Sequence, residues 1–380
     1  MIYDIVCFSH LRWNFVYQRP QHLLTRFARY HRVFFIEEPI FDAESSYHNI
    51  YQDIENGVFV VTPRLRQGMS ANQIIHTQKL LLENLFHTRN IDKYIFWYYS
   101  PMALPFSEDF SQMLTVYDCM DELSAFKFAS PELKENEVRL MNKADLVFTG
   151  GHHLYEAKKH MHENIYPVPS SIDKSHFAKA RQAIADPPDQ KGIPYPRLGF
   201  YGVIDERFNL EILEEIVAKK PDWNFVLIGP VVKIDVNAIP KKSNVYHLGA
   251  KDYKELPSYL SSWDIAIMPF ALNESTKYIS PTKTPEFLAA GKPVISTSIR
   301  DVVIPYGKQG LVSIADTAEE FIKAGEKILS NPKDPQWLTR VDQFLKTISW
   351  DDTWAFMNNR IAETIQRKKN INLRKAEIYV

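Results

Sequence analysis

Apolar residues in this chain fall into short runs of strand length, separated by stretches in which they recur every three or four positions. IYDIVCF, from Ile2, reads as a strand, and PQHLLTRFARY reads as an amphipathic helix with Pro20 at its start. RVFFIEE and GVFVVTP follow as strands, then a helix over Asn72 to Phe86, then the strands KYIFWYY and MLTVYD. PELKENEVRLMNKA is a helix and DLVFTG a strand. Strands alternating with helices predict a parallel sheet with helices on both faces.

The segment RQAIADPPDQKGIPYPR, residues 181–197, has no apolar period and is rich in proline and charge, so it reads as a linker. A second alternation follows. LGFYGV, NFVLIG, VYHLG, IAIMPF and PVIST are strands; LEILEEIVAKK, YKELPSYLSS and a segment near 282–290 are helices. The expected fold class is α/β, with two doubly wound, Rossmann-like domains at 1–180 and 198–349 facing each other across a cleft. A last helix runs from Trp350 to about Lys368, within the tail 350–380. No G-x-G-x-x-G follows the first strand, which argues against a dehydrogenase.

Composition narrows the class. With 380 residues, 45% of them hydrophobic, the chain can bury two cores of ordinary size. A net charge of −1 gives no field for a nucleic-acid partner. Cys7 and Cys119 sit in or at the end of apolar runs and are expected as buried free thiols. His and Cys show no metal-ligand spacing, and no cofactor is expected. The absence of a basic leader and of any run of membrane-spanning length makes a cytoplasmic location the expectation.

Ser280 to Thr297, SPTKTPEFLAAGKPVIST, carries the most specific chemistry. Pro285 is tolerated only in a first helical turn, so the helix begins no earlier than about Thr282, and Gly291 and Pro293 stop it. Ser280, Thr282 and Lys283 then lie in the loop and cap facing any ligand. A helix N-terminus suits a phosphate, and Glu286 in the first turn suits the vicinal hydroxyls of a ribose. Together these are the parts of a sugar-nucleotide site. An ordinary capped helix would also satisfy the pattern.

Residues 281–294 fit P-x-K-x-x-E-x-x-A-x-G-x-P-V, and so resemble the donor signature of GT-B glycosyltransferases, particularly the family-4 group. RLGFYGVIDERFNLEIL, NFVLIGP, NVYHLGAKDYKELPSYLSSWDIAIMPF and SWDDTWAFMNNRI continue the resemblance in order. The opening FSHLRWNFVYQRPQHLLTRFAR resembles a bacterial subgroup of cell-surface polysaccharide transferases, including the teichuronic-acid type. The resemblance implies a GT-B fold, a nucleotide-sugar donor on the C-terminal domain and a glycan or lipid-linked acceptor on the N-terminal one. It implies that the last helix crosses back onto the first domain, and that Gly229, Pro230 and the turn His247 to Ala250 approach the base. Retaining members often carry two glutamates with seven residues between them; Glu286 matches the second, the first falls on Tyr278, and Glu274 is out of register.

Other candidates follow from position. Gly202, past a strand, lets backbone approach a pyrophosphate, and the resemblance implies that Arg207 in the next turn supplies a cation. Arg207 equally fits a salt bridge within its Asp-Glu-Arg turn. Asp118 and Asp121 close a strand, where either would take a proton from an acceptor hydroxyl in an inverting mechanism, or orient it in a retaining one; caps and turns are the plain alternative. His10, Arg12 and Trp13 follow the first strand, with Trp13 placed to stack on a sugar ring. Arg19, Arg26, Arg29 and Arg32, with the tail Arg367 to Arg374, offer a peripheral contact to an anionic membrane, or a solvated face. The expected activity is retaining and metal-independent. A GT-B epimerase and a non-catalytic nucleotide-sugar binder are the rivals.

Overall fold

The computed structural model describes residues 2–331 and 334–378, apart from the side chains of 372–378. The chain divides into two compact units. One comprises Met1–Ser124, Phe128–Val168 and Asp351–Val380, and the other Ala125–Lys127 and Pro169–Trp350.

The first unit is built on β1 (Asp4–Phe8), β2 (Val33–Ile36), β3 (Ile40–Ala43), β4 (Tyr47–Gln52), β5 (Phe59–Arg66), β6 (Tyr94–Tyr98), β7 (Leu114–Cys119), β8 (Leu146–Thr149) and β9 (Ile165–Pro167). They lie in the order β3-β5-β2-β1-β6-β7-β8-β9, with β4 antiparallel on β5 and the other pairings parallel. Strands β1, β2, β6, β7 and β8 are buried along their whole length, which explains their unbroken apolar runs. From β1 the sheet grows first toward β2 and later toward β6. The order therefore reverses between β1 and β6, and such a reversal opens a crevice at the C-terminal strand ends. Strands β3 and β4 were not expected. They lie at the sheet's edge and expose residues on both faces, so no apolar run marks them.

The second unit is a wholly parallel sheet of β10 (Arg197–Tyr201), β11 (Asn224–Ile228), β12 (Val245–His247), β13 (Ile265–Met268), β14 (Val294–Ser296) and β15 (Ser313–Ile314). Its order, β12-β11-β10-β13-β14-β15, reverses between β10 and β13. Two helices not anticipated, Ala318–Ser330 and Pro335–Leu345, complete the unit; the first opens on a capping box of Thr317 and Glu320.

The segment 181–197 lies inside this second unit, and the chain passes between the units earlier, at Val168 and Pro169. Several of its polar groups have buried partners. Arg181 donates to the Ala289 carbonyl at 2.7 Å, Asp186 pairs with Arg197 at 2.7 Å, and Gln190 accepts from the Trp263 indole at 2.8 Å. Prolines and charges that read as a solvated linker are here the polar half of a packed strap.

The helix Trp350–Ile378 enters the first unit at Asp351. Arg26 donates to Asp351 at 2.8 Å, Lys368 pairs with Asp145 at 2.8 Å, and Trp354 stacks on Tyr30. The side chain of Arg374 lies outside the described residues. On the helix Arg19–Phe27 the cations are largely neutralised from within. Arg19 is bonded to Asp118, Arg26 to Asp351, and nearby Arg32 to Asp4, while Arg29 is exposed with Asp351 at 3.9 Å. Of the cations offered as a membrane contact or a solvated face, Arg19 and Arg26 are thus buried, while Arg29 and Arg32 are exposed. Among the described residues no helix is long and apolar enough to cross a membrane. Cys7 and Cys119 are buried and free.

The Arg19–Asp118 pair is the most buried of these. Arg19 Nε and Nη2 hold the carboxylate at 2.8–3.1 Å, and Nη1 donates to the Val168 carbonyl at 2.8 Å. Removing one charge strands the other away from water. Asp118→Ala should lose about 3–5 kcal/mol in urea unfolding, and replacing both residues with apolar ones should lose less than either single change. A single-mutant loss under about 1 kcal/mol would show that this pair does not organise the end of β7.

Candidate functional site

The site assembles at the order reversal of the second sheet. After β10 the chain turns through Gly202, at φ +140°, and after β11 through Gly229, at φ +137°. Both are conformations that side chains resist. At Gly229 space forbids a side chain as well, and at Gly202 one would push Lys283 aside. A Cβ on Gly229 would lie 1.9 Å from the Gly202 carbonyl oxygen, and one on Gly202 would lie 2.8 Å from Cε of Lys283. The two loops are laced together, with the Gly202 amide donating to Ile228 at 2.9 Å and the Ile204 amide to Pro230 at 3.0 Å. The turn 247–250 joins them, because the Gly229 amide donates to Gly249 at 2.9 Å and His247 Nε2 meets the Gly229 carbonyl at 2.8 Å.

The helix Lys283–Ala289 starts here, with Thr282 as its N-cap and Pro285 in the first turn. Thr282 makes no side-chain cap bond; its hydroxyl accepts from Lys283 Nζ at 3.5 Å. The Lys283 chain therefore lies across Gly202, bringing an ammonium over the end of β10. Ser280 is tied locally, its carbonyl accepting from the Ser170 hydroxyl at 2.6 Å and its hydroxyl from the Ser170 amide at 3.4 Å.

Glu286 is buried beneath this loop and accepts a hydrogen bond from the Tyr201 hydroxyl at the end of β10. Burial pushes its carboxyl up to about 7, against the opposing pull of Lys283 and Tyr201. Tyr201 escaped the sequence reading because an aromatic residue at a strand's end looks like core. The only hint was its place immediately before Gly202.

The remaining candidates are placed less simply. Asp205 holds Arg207 through Nε at 3.0 Å and Nη2 at 2.7 Å, and the guanidinium lies 5.2 Å from the Phe126 ring centroid. The salt bridge within the turn is therefore formed. Glu274 is exposed and pairs with Lys277 at 3.4 Å.

In the first unit, Asp118 is wholly buried under Arg19, so a proton-accepting role conflicts with its geometry. Asp121 and His10 are half-buried. Trp13 is not a stacking platform. Its ring is buried edge-on against Phe35 at 5.0 Å, with Nε1 donating to Asp53 at 2.8 Å and its amide to Glu37 at 2.8 Å. Burying a large indole with both N–H groups paired outweighs exposing it to a ligand. Arg12 donates to Glu37 at 3.1 Å and to the Glu38 carbonyl at 2.5 Å. Among the described residues no three His, Cys, Asp or Glu side chains gather as a metal site requires.

Residues 196–331 match the family model described as glycosyl transferases group 1. A protein described as a teichuronic acid biosynthesis glycosyltransferase, TuaH, of Bacillus subtilis (strain 168), is 27% identical over 332 residues, covering 79% of this chain and 82% of that protein. Solved structures share the fold across almost the whole chain. Sucrose-phosphate synthase from Thermosynechococcus elongatus aligns with a TM-score of 0.68 at 14% identity, covering 96% of this chain and 100% of the other. A structure described as trehalose-6-phosphate from E. coli bound with UDP-2-fluoro glucose aligns with a TM-score of 0.69 at 12% identity, covering 96% and 99%. The fold is that of the GT-B glycosyltransferases, and residues 196–331 match a glycosyl transferase family.

Glu286 makes stability depend on pH in a defined direction. Its folded pKa, about 7, lies above the ordinary 4.5, so between these values the folded chain keeps a proton that the unfolded chain has released. The favourable contribution is complete below pH 4.5 and is lost as pH rises through 7. Glutamine has no such dependence. The stability of Glu286→Gln relative to the parent should therefore rise across this window, by about 3 kcal/mol in all. Thermal unfolding of both proteins from pH 4.5 to 8 measures it, and a difference independent of pH would place Glu286 in a solvated setting.

Proposed function

We propose that this chain moves a sugar from a nucleoside diphosphate sugar to a hydroxyl of a glycan or lipid-linked acceptor, in the synthesis of a cell-surface polysaccharide. One observation carries the donor half: Lys283 lies across Gly202 with Glu286 in the same first turn, at the strand-order reversal where open α/β sheets hold ligands. In this reading the diphosphate lies against Gly202 and Lys283, with Ser280 and Thr282 beside it. The ribose hydroxyls donate to Glu286, taking the place of Tyr201, and the base lies along Gly229 and the turn 247–250. The TuaH relative supports the polysaccharide context.

The leaving diphosphate gathers negative charge as the sugar passes through an oxocarbenium-like state. Lys283 answers that charge, and Arg207, oriented by Asp205, is the second cation. These two make a divalent ion dispensable. In a retaining reaction the leaving phosphate takes the acceptor proton. In an inverting one, His10 or Asp121 takes it, while Asp118 positions Arg19. The anomeric coupling constant of the product, read by NMR, separates the two.

A thermal-shift panel of UDP-, GDP-, ADP- and dTDP-sugars finds the donor, because a ligand that binds only the folded state raises the melting temperature by mass action. Conversion of that donor to an epimer without acceptor would favour the epimerase reading. Binding with no turnover would favour a non-catalytic binder.

Lys283→Ala should weaken nucleoside diphosphate binding tenfold to hundredfold, about 1.5–3 kcal/mol, while nearly sparing the bare nucleoside. Calorimetry with both ligands checks this, and equal losses for the two would remove Lys283 from the phosphates. Turnover should also persist in excess chelator. Activity abolished by chelation and restored by magnesium or manganese would refute the two-cation account.

A further inference from the structure

The first unit holds a cavity of about 600 Å³ that no sequence motif announced. Its floor is the end of β1 at Phe8 and Ser9, the end of β2 at Ile36 and Glu37, and Ser100 just past β6. It therefore sits at this sheet's own order reversal, where open α/β sheets take ligands. The volume falls within the roughly 300–1,000 Å³ of small-molecule sites.

The walls and the rim differ in character. Phe41, Ile74, Ile75, Met102 and Phe106 make the walls apolar, and Phe106 meets Phe8 edge-on at 5.6 Å. The rim carries the carboxylates Glu38, Glu132 and Glu135 against one guanidinium, Arg139, which is itself paired with Glu108 at 2.6 Å. On the floor, Glu37 is engaged by Arg12 at 3.1 Å and by the Thr62 hydroxyl at 2.8 Å. The field at the mouth is therefore negative and repels an anion. Carboxylates accept hydrogen bonds from hydroxyls, while the interior accepts an apolar body.

We propose that this cavity binds an uncharged glycoside, its hydroxyls on the acidic rim and its apolar aglycone between the phenylalanine and isoleucine walls. The proposal rests on reading the first unit as the acceptor side of a transferase, and it names the acceptor's class. It also supplies the apolar surface that the buried Trp13 does not.

The test uses the full chain and three probes: n-octyl β-D-glucopyranoside below its micelle concentration, n-octyl phosphate, and glucose. Saturation-transfer NMR titrations should show saturable binding of octyl glucoside at least tenfold tighter than of the other two. Ile75→Trp, or Gln78→Trp at another lining position, should abolish that binding while keeping the parent's circular dichroism. Glu135→Lys should narrow the preference over octyl phosphate. Octyl phosphate binding as tightly as octyl glucoside overturns the proposal, as does octyl glucoside binding unchanged in both tryptophan variants. Octyl glucoside binding in a chain that takes no nucleoside diphosphate sugar supports the cavity and overturns the transferase reading instead.

Discussion

The close approach of the two glycine turns, at Gly202 and Gly229, is the constraint on which the donor side depends. Gly229 has no room for a side chain, one at Gly202 would displace Lys283, and both hold backbone angles that favour glycine. Because the turns touch, the amides that end β10 and β11 are fixed relative to each other. Lys283 can then lie over backbone rather than over a side chain. Any Cβ at Gly202 would lift its chain away, and any Cβ at Gly229 would separate the loops. The chemistry proposed for Lys283 and Glu286 needs this floor before it needs any particular charge.

Beneath that floor the site holds unrealised energy. Glu286 is a buried carboxyl whose hydrogen-bond partner in the structure is Tyr201, and burial works against its charge. Hydroxyls donating to the carboxylate would favour its ionised form. The same group thus disfavours the stability of the chain near neutral pH and favours a ligand rich in hydroxyls. Lys283 is already close enough to oppose the shift, so a ligand that met both groups would bear on one coupled pair.

Much of this was legible in the sequence, and the reasons are physical. The buried parallel strands β1, β6, β10 and β11 announced themselves as apolar runs because both faces are covered. That the helix starts no earlier than about Thr282 followed from Pro285, and it starts at Lys283. Edge strands β3 and β4 were hidden because half-exposed positions carry no run. The segment 181–197 misled because proline and charge look the same in a solvated linker and in a strap whose charges are paired. Asp118 was placed correctly near a strand's end and Trp13 after a strand, but sequence does not show which way a side chain faces. Trp13 turns inward onto Phe35, and Asp118 meets Arg19, a partner far away in the chain. The cavity in the first unit was invisible because its lining comes from five separate segments.

The central claim is that the second sheet's reversal point grips a nucleoside diphosphate sugar through Gly202, Lys283 and Glu286. A crystal structure with the nucleotide sugar that most raises the melting temperature tests it most directly. The account predicts diphosphate oxygens within hydrogen-bond reach of Lys283 Nζ and the backbone at Gly202, and ribose hydroxyls on Glu286 in place of Tyr201. A nucleotide seated elsewhere, with the Glu286–Tyr201 bond intact, would contradict it.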